Sequence, residues 1–311
     1  DFADLERAAR AFGACGADFL GINPVHALGW SDRVTISPYS PSHRGFLDTR
    51  YIATDGEGAA DAGDLIDYAG FGEAHRGRLE ALYKRFEAKV DGAEHGDFST
   101  FCAVMGEPLA TFALYEALSE AHGDDWRKWP DALQRREPGG IAAAEREYAD
   151  RIRFHQWLQW IADARIAAAQ DGARGAGMAL GLYLDLAVGP RRGGAESWCE
   201  QAATARGVSL GAPPDHLSPG GQNWQLAAYA PTPLARQDYR PLRRIVAATM
   251  RRAGMLRIDH VLGLNRSYWI PDDGSPGGYI RQPFEALLAV VAIEAERAGT
   301  VVIGEDLGLV P

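Results

Sequence analysis

Four short apolar runs separated by helical stretches limit what this 311-residue chain can fold into. Residues 17–24, 178–185, 255–259 and 301–305 are each bounded by turn formers or a helical pattern and read as strands. Strands that alternate with helices indicate an α/β fold built on a parallel sheet. The helices are written in the sequence between them. Residues 1–12 set Leu5, Ala8, Ala9 and Phe12 at helical spacing. Between about 60 and 172 three stripes follow: Leu79, Leu82, Tyr83 and Phe86; then Leu109, Phe112, Tyr115, Glu116 and Leu118; then Phe154, Trp157, Leu158 and Ile161. Trp126, Trp129, Trp157 and Trp160 lie in this region and read as core. So much helix is an insertion rather than a single connection. Residues 187–240, rich in Gly, Pro and Ala, carry no sustained periodicity, and an irregular stretch of that length in a compact chain is usually functional.

Composition removes several functional classes. A formal charge of −10 excludes a general binder of phosphate backbones, so no nucleic-acid partner is expected. No stretch approaches the ~18 uninterrupted apolar residues of a membrane span, and no signal-peptide pattern opens the chain, so no membrane partner is expected. The three cysteines, Cys15, Cys102 and Cys199, are dispersed, which argues against a disulfide framework and fits a reducing cytoplasm. Neither Cys-x-x-Cys nor His-x-x-x-His occurs, so clustered metal-ligand spacing is absent and no metal is expected.

Three of the four strands end in a carboxylate: Asp185, Asp259 and Glu305. Function in parallel α/β sheets gathers at the carboxyl ends of strands. Asp259 and Glu305 lie on consecutive strands, and neighbouring strands sit ~4.8 Å apart. Carboxylates level with each other would be roughly 5 Å apart, the geometry of a retaining glycosidase rather than an inverting one. Arg257, two residues before Asp259, shares its face and is expected to keep it ionised by lowering its pKa. Gly304 leaves room for close approach beside Glu305. A lone Asp at a strand end is commonly a turn former or helix cap; the Arg257–Asp259 spacing is what favours chemistry here.

At these residues the chain resembles a known family. Leu256-Arg257-Ile258-Asp259-His260-Val261-Leu262-Gly263-Leu264 is similar to the nucleophile segment of amylomaltases, the 4-α-glucanotransferases of the α-amylase superfamily. The run from Ile303 through Gly304, Glu305 and Asp306 to Pro311 resembles their acid/base segment. Further matching segments are Ile22-Asn23-Pro24-Val25-His26, Ser37-Pro38-Tyr39-Ser40-Pro41, Leu182-Tyr183-Leu184-Asp185-Leu186, Pro213-Pro214-Asp215 and Gly221-Gln222-Asn223-Trp224. They occur in family order from end to end.

The resemblance implies a (β/α)8 TIM barrel with a large helical insertion. Residues 1–54 would begin the catalytic barrel, 55–172 would form the insertion subdomain, and 173–311 would continue the barrel, with a substrate-loop region at 187–240. It implies transfer of α-1,4-glucan segments between maltooligosaccharides or other α-1,4-glucans by a retaining double displacement. Asp259 would be the nucleophile and Glu305 the acid/base. Arg257 would orient Asp259, His260 would hydrogen-bond the sugar, Asp185 would support the reactive subsite and Tyr39 would stack on the sugar ring. Asp215, Gln222 and Trp224 would lie on a mobile loop over the cleft. The chain departs from the family after Trp224, where Gln225-Leu226-Ala227-Ala228 replaces a Gly- and Pro-containing turn, and at His43, where a small hydroxyl residue is expected. A third carboxylate, an Asp following a His on a later strand, has no counterpart here. With four strands where a closed barrel needs eight, the sequence reads as truncated.

Overall fold

The computed structural model describes residues 1–54, 67–89, 92–216 and 218–307. The start of the expected insertion, 55–66, and the last four residues of the 303–311 run lie outside them. Helix α1 (Phe2–Ala14) precedes strand β1 (Phe19–Gly21), and a short antiparallel pair follows, β2 (His26–Ala27) with β3 (His43–Leu47). Then come helices α2 (Tyr68–Glu87), α3 (Ala93–His122), α4 (Asp131–Gln134), α5 (Pro138–Glu147) and α6 (Ala149–Gly175). Strand β4 (Gly181–Leu186) leads through α7 (Ala195–Cys199) to β5 (Val208–Ala212) and β6 (Gln222–Leu226). Helices α8 (Pro231–Arg236) and α9 (Arg240–Met250) lead to β7 (Met255–Ile258). Strands β8 (Arg266–Pro271) and β9 (Gly278–Arg281), helix α10 (Phe284–Ala298) and β10 (Val301–Gly304) complete the described elements.

The four strands expected from the sequence form one parallel sheet in the order β1-β4-β7-β10. Leu182, Leu184 and Leu186 of β4 and Leu256 and Ile258 of β7 are buried in a core shared with Phe2 and Ala9 of α1, Leu79 and Phe86 of α2, and Phe154, Trp157 and Leu158 of α6. Burial of such side chains contributes about 1.5–3 kcal/mol each. A second core joins Leu109, Phe112, Tyr115 and Leu118 of α3 to Trp129, Trp198 and Phe46. The helices between 68 and 175 are thus divided between two cores, and α2 and α6 pack as part of the sheet's own layer.

Two expectations need correction. First, Phe12 is 53% exposed, because α1 lies against α6 along the row Phe2, Ala9 and Gly13 instead. A Cβ at Gly13 would come within 2.9 Å of Ala176 Cβ, so that row allows an approach too close for any side chain there. Second, the 187–240 region is not irregular throughout: β5 and β6 join β8 and β9 in an antiparallel sheet of order β6-β5-β8-β9, and α7 and α8 flank them. The partner of β5 is some 60 residues away, Val208 facing Pro271, so local periodicity could not reveal it. Helix α3 passes a length-and-composition test for a membrane span, though charged and polar residues interrupt its apolar positions. It breaks at Gly106 (φ 58°), just before Pro108, and in its second half Leu109 and residues 112–119 are buried.

Candidate active site

The register of the parallel sheet brings the acids together. Asp185 of β4 lies opposite Arg257 of β7, and Arg257 lies opposite Ile303 of β10. Pairing continues one step further: Asp259 N–H donates to Leu186 O and Glu305 N–H to Ile258 O, each at 3.0 Å. Asp259 and Glu305 therefore stand level, just past the ends of adjacent strands.

Arg257 is the hub. Its Nη1 donates to both oxygens of Asp185, each at 2.8 Å, while Nη2 lies 2.8 Å from Asp259 Oδ1 and 3.9 Å from Glu305 Oε2. Tyr39 OH donates to Asp185 Oδ2 at 2.8 Å. Because one nitrogen reaches both Asp259 and Glu305, those oxygens can be no further apart than the sum of the two contacts. That limit is compatible with the ~5–5.5 Å separation of a retaining pair.

A turn holds Glu305 in place. His260 adopts a left-handed conformation (φ 48°), sparsely populated for a residue with a Cβ, and its N–H donates to Glu305 Oε2 at 2.8 Å. Leu307 N–H donates to Oε1 at 2.6 Å, and Val261 N–H to the Glu305 carbonyl at 2.8 Å. Gly304 is required by this turn, since a Cβ there would sit 2.8 Å from Val261 Cγ1.

Electrostatics corrects one expectation. The pKa of Asp259 is raised, not lowered: burial disfavours its charge, and the nearby Asp185 and Glu305 add repulsion that the Arg257 contact does not offset. Burial and the bond to Asp185 push the Tyr39 hydroxyl up to about 12, so it stays a donor. Arg257 loses some preference for charge through burial but gains more from Asp185 and Asp259, and its pKa is raised.

The cleft residues join this group unequally. The Trp224 ring meets His260 edge-on at 5.3 Å, and Trp224 Nε1–H donates to Gln222 Oε1 at 3.0 Å. Trp224, Asp259 and His260 line a mostly apolar cavity of about 110 Å³ with Leu210 and Tyr268. Asp215 does not line it; the carboxylate caps its own turn by accepting from Ser218 N–H at 2.6 Å. Among the described residues, no cluster of three or more His, Cys, Asp or Glu side chains is arranged to hold a metal ion. Sequence reasoning missed the buried groups just behind the site, Arg44, Glu196 and Tyr229, and set His26 aside. Their only signal is an arginine and a glutamate amid apolar residues.

The 4-alpha-glucanotransferase family matches residues 1–311. The chain belongs to that family. It is 38% identical to a 4-alpha-glucanotransferase of Mycobacterium tuberculosis over 96% of its own length and 44% of that relative's. It superposes on amylomaltase from Corynebacterium glutamicum with a TM-score of 0.80 at 34% identity, covering 100% of this chain and 45% of that one. The amylomaltase of Streptococcus agalactiae, solved in complex with acarbose, shares the fold with a TM-score of 0.85 at 22% identity, over 98% of this chain and 65% of that one. The chain thus spans about half the length of the curated relatives it matches. In family terms, its parallel sheet is four strands of the (β/α)8 barrel, accompanied by a large helical region.

Proposed function

We propose that the protein is a retaining 4-α-glucanotransferase and that this chain supplies its nucleophile and its acid/base. Asp259 attacks the anomeric carbon of an α-1,4-linked glucan and forms a covalent glycosyl-enzyme while the glycosidic bond breaks. Glu305 gives its proton to the departing oxygen and then takes one from the incoming acceptor hydroxyl. The observation that carries this reading is the single Arg257 nitrogen that reaches both Asp259 and Glu305 at the strand ends. Ionised Asp259 is the attacking form, and Arg257 is the group that opposes its protonation.

Asp185, Tyr39 and His260 surround the same pair and suit the sugar in the reactive subsite. Trp224, with Gln222 and Asp215 on the same stretch, suits a glucan lying over the cleft and a site from which water is excluded, which favours transfer over hydrolysis. Residues 1–54 and 173–311 supply the catalytic strands in this reading, with 55–172 as the insertion. The acarbose bound by the Streptococcus relative fits maltooligosaccharides as donors and acceptors. The free thiols Cys15, Cys102 and Cys199 suit a cytoplasmic setting.

The test is incubation of the enzyme, expressed from its complete reading frame, with maltotriose. Glucose together with a ladder of longer maltooligosaccharides is expected. Chromatography that shows only shorter products moves the assignment to a hydrolase.

A further inference from the structure

Beneath the carboxylate cluster lies an ion pair that takes no direct part in the chemistry proposed above. Arg44 is 6% exposed and Glu196 is fully buried. Arg44 Nη2 meets Glu196 Oε1 at 2.6 Å, and Nε lies 3.1 Å from Oε2. Arg44 N–H also donates to Oε2 at 2.9 Å, and Tyr229 OH to Oε1 at 2.8 Å. The remaining guanidinium nitrogen, Nη1, donates to the carbonyls of Ala187 at 3.2 Å and Val188 at 2.9 Å, the second and third residues after Asp185. Ala187 N–H in turn donates to His26 Nε2 at 3.3 Å.

The Glu196 carboxylate, through the Arg44 N–H, and the backbone around it fasten the segment that follows Tyr39. Glu196 N–H donates to Ser42 O at 2.8 Å, Ala195 N–H to Ser42 Oγ at 2.9 Å, and Arg191 N–H to Pro41 O at 2.8 Å. Tyr229 lies three residues past β6, the strand of Trp224. Three stretches of the site therefore converge on one ion pair: the end of β4, the loop at 37–44, and the segment after β6.

We infer that Arg44 and Glu196 are positioning residues: their pair fixes the end of β4 and the Tyr39 loop, and so sets Asp185 where it can hold Arg257 against Asp259. The inference rests on the function proposed above. Stability alone is a poor explanation of the pair, because a buried ion pair can often be replaced by apolar residues of similar volume without loss of stability. No apolar pair would donate to the Ala187 and Val188 carbonyls. A lysine could not do so while also gripping Glu196, because it lacks the planar fork. His26 and His43, which face the pair, are kept neutral by burial, down to about 3 and about 4, so Arg44 is the cation that balances Glu196.

The test compares Arg44→Lys and the apolar pair Arg44→Met/Glu196→Met with the wild-type enzyme expressed from its complete reading frame. Assays run at a temperature where circular dichroism shows every variant folded. We expect kcat on maltotriose to fall 10- to 100-fold while KM stays within threefold. Amide exchange at 185–189 should rise locally. Arg151→Met, which breaks an ion pair to Glu120 between α6 and α3, is the control and should lower Tm without lowering kcat. A kcat within twofold of wild type overturns the inference, as does a loss of kcat without faster exchange at 185–189. If the double variant does not fold, Arg44→Lys gives the same readings. If the wild type transfers no glucan, the proposed function fails, while the exchange data still decide whether Arg44 holds the strand end.

Discussion

Arg257 faces three carboxylates at the open end of the parallel sheet, whereas Arg44, on β3, faces one, Glu196, and both partners are buried. The closest contacts are nearly the same, 2.8 Å to Asp259 and 2.6 Å to Glu196. The consequences for the acids are opposite. Burial works against the charge of both, yet the Arg44 pair outweighs it and draws Glu196 down to about 2, while Asp259 is pushed up. The difference is the number of carboxylates that share the cation. One guanidinium matched to one carboxylate gives a settled, fully bonded pair suited to holding backbone. One guanidinium shared by Asp185, Asp259 and Glu305 leaves negative charge in surplus, and two of the acids retain exposure through which a substrate can reach them. Contact distance alone does not distinguish a scaffold from a reactive centre; charge balance and access do.

The largest effect expected from breaking the comparison is at the shared cluster. Asp259→Ala removes the attacking group and should reduce transfer by roughly 10⁴-fold or more, on the scale seen when other enzymes lose a nucleophile. Chain-extension assays on maltotriose measure it, and retention of most activity would remove Asp259 from the nucleophile role. A smaller loss is expected at the neighbouring strand. Glu305→Gln should slow maltotriose turnover by about 10²–10⁴-fold, the usual contribution of general acid–base catalysis. Formation of the glycosyl-enzyme from a glucosyl fluoride, whose leaving group needs no proton, should fall far less. Equal losses on the two donors would place Glu305 outside the proton transfer.

The same contrast explains what was legible in the sequence. Asp185, Asp259 and Glu305 could be found because each ends an apolar run, and strand register then fixes their level without knowledge of side-chain contacts. The contact between Arg257 and Asp259 followed from their two-residue spacing. Stripes such as Leu109, Phe112, Tyr115 and Leu118 were readable for the same reason: helical period is a local property, and all four are buried. Arg44 and Glu196 were not readable, because 152 residues separate them and neither lies in a periodic pattern that marks it as buried. The antiparallel sheet was hidden likewise, since β6 is largely exposed and pairs with β5 across a turn, while β5 finds β8 much later in the chain. The direction of the Asp259 shift depended on the other two acids around Arg257, and a count of nearest neighbours along one strand does not include them. The Trp224 segment lay between these cases: the aromatic stood out in a stretch without periodicity, whereas its place on β6 and its edge-on contact with His260 were not visible there.

The smallest effect expected separates the two arginine sites by stability rather than rate. The pKa of Asp259 is raised in the folded protein above its ordinary value of 3.8, with burial the leading cause. The native state then binds this proton more tightly than the unfolded chain does. The stability that the group contributes is fully present below pH 3.8 and is lost as pH rises through the folded-state value. At pH 7 Asp259 is a charge held at a cost, a common arrangement where activity and stability compete. Asp259→Asn mimics the protonated form and leaves Arg257 paired with both oxygens of Asp185. The variant should therefore melt above the wild type at pH 7, and the gap should close as pH falls toward 3.8. Glu196→Gln should do the reverse: its pKa is held at about 2, so the native state favours the charged form, and the substitution should lower Tm at pH 7. Thermal melts of the two variants at pH 7, 5.5 and 4 read both signs. An Asp259→Asn protein less stable than wild type at pH 7 would mean that the Arg257 attraction exceeds the cost of burial and repulsion, and that the two sites differ in access alone.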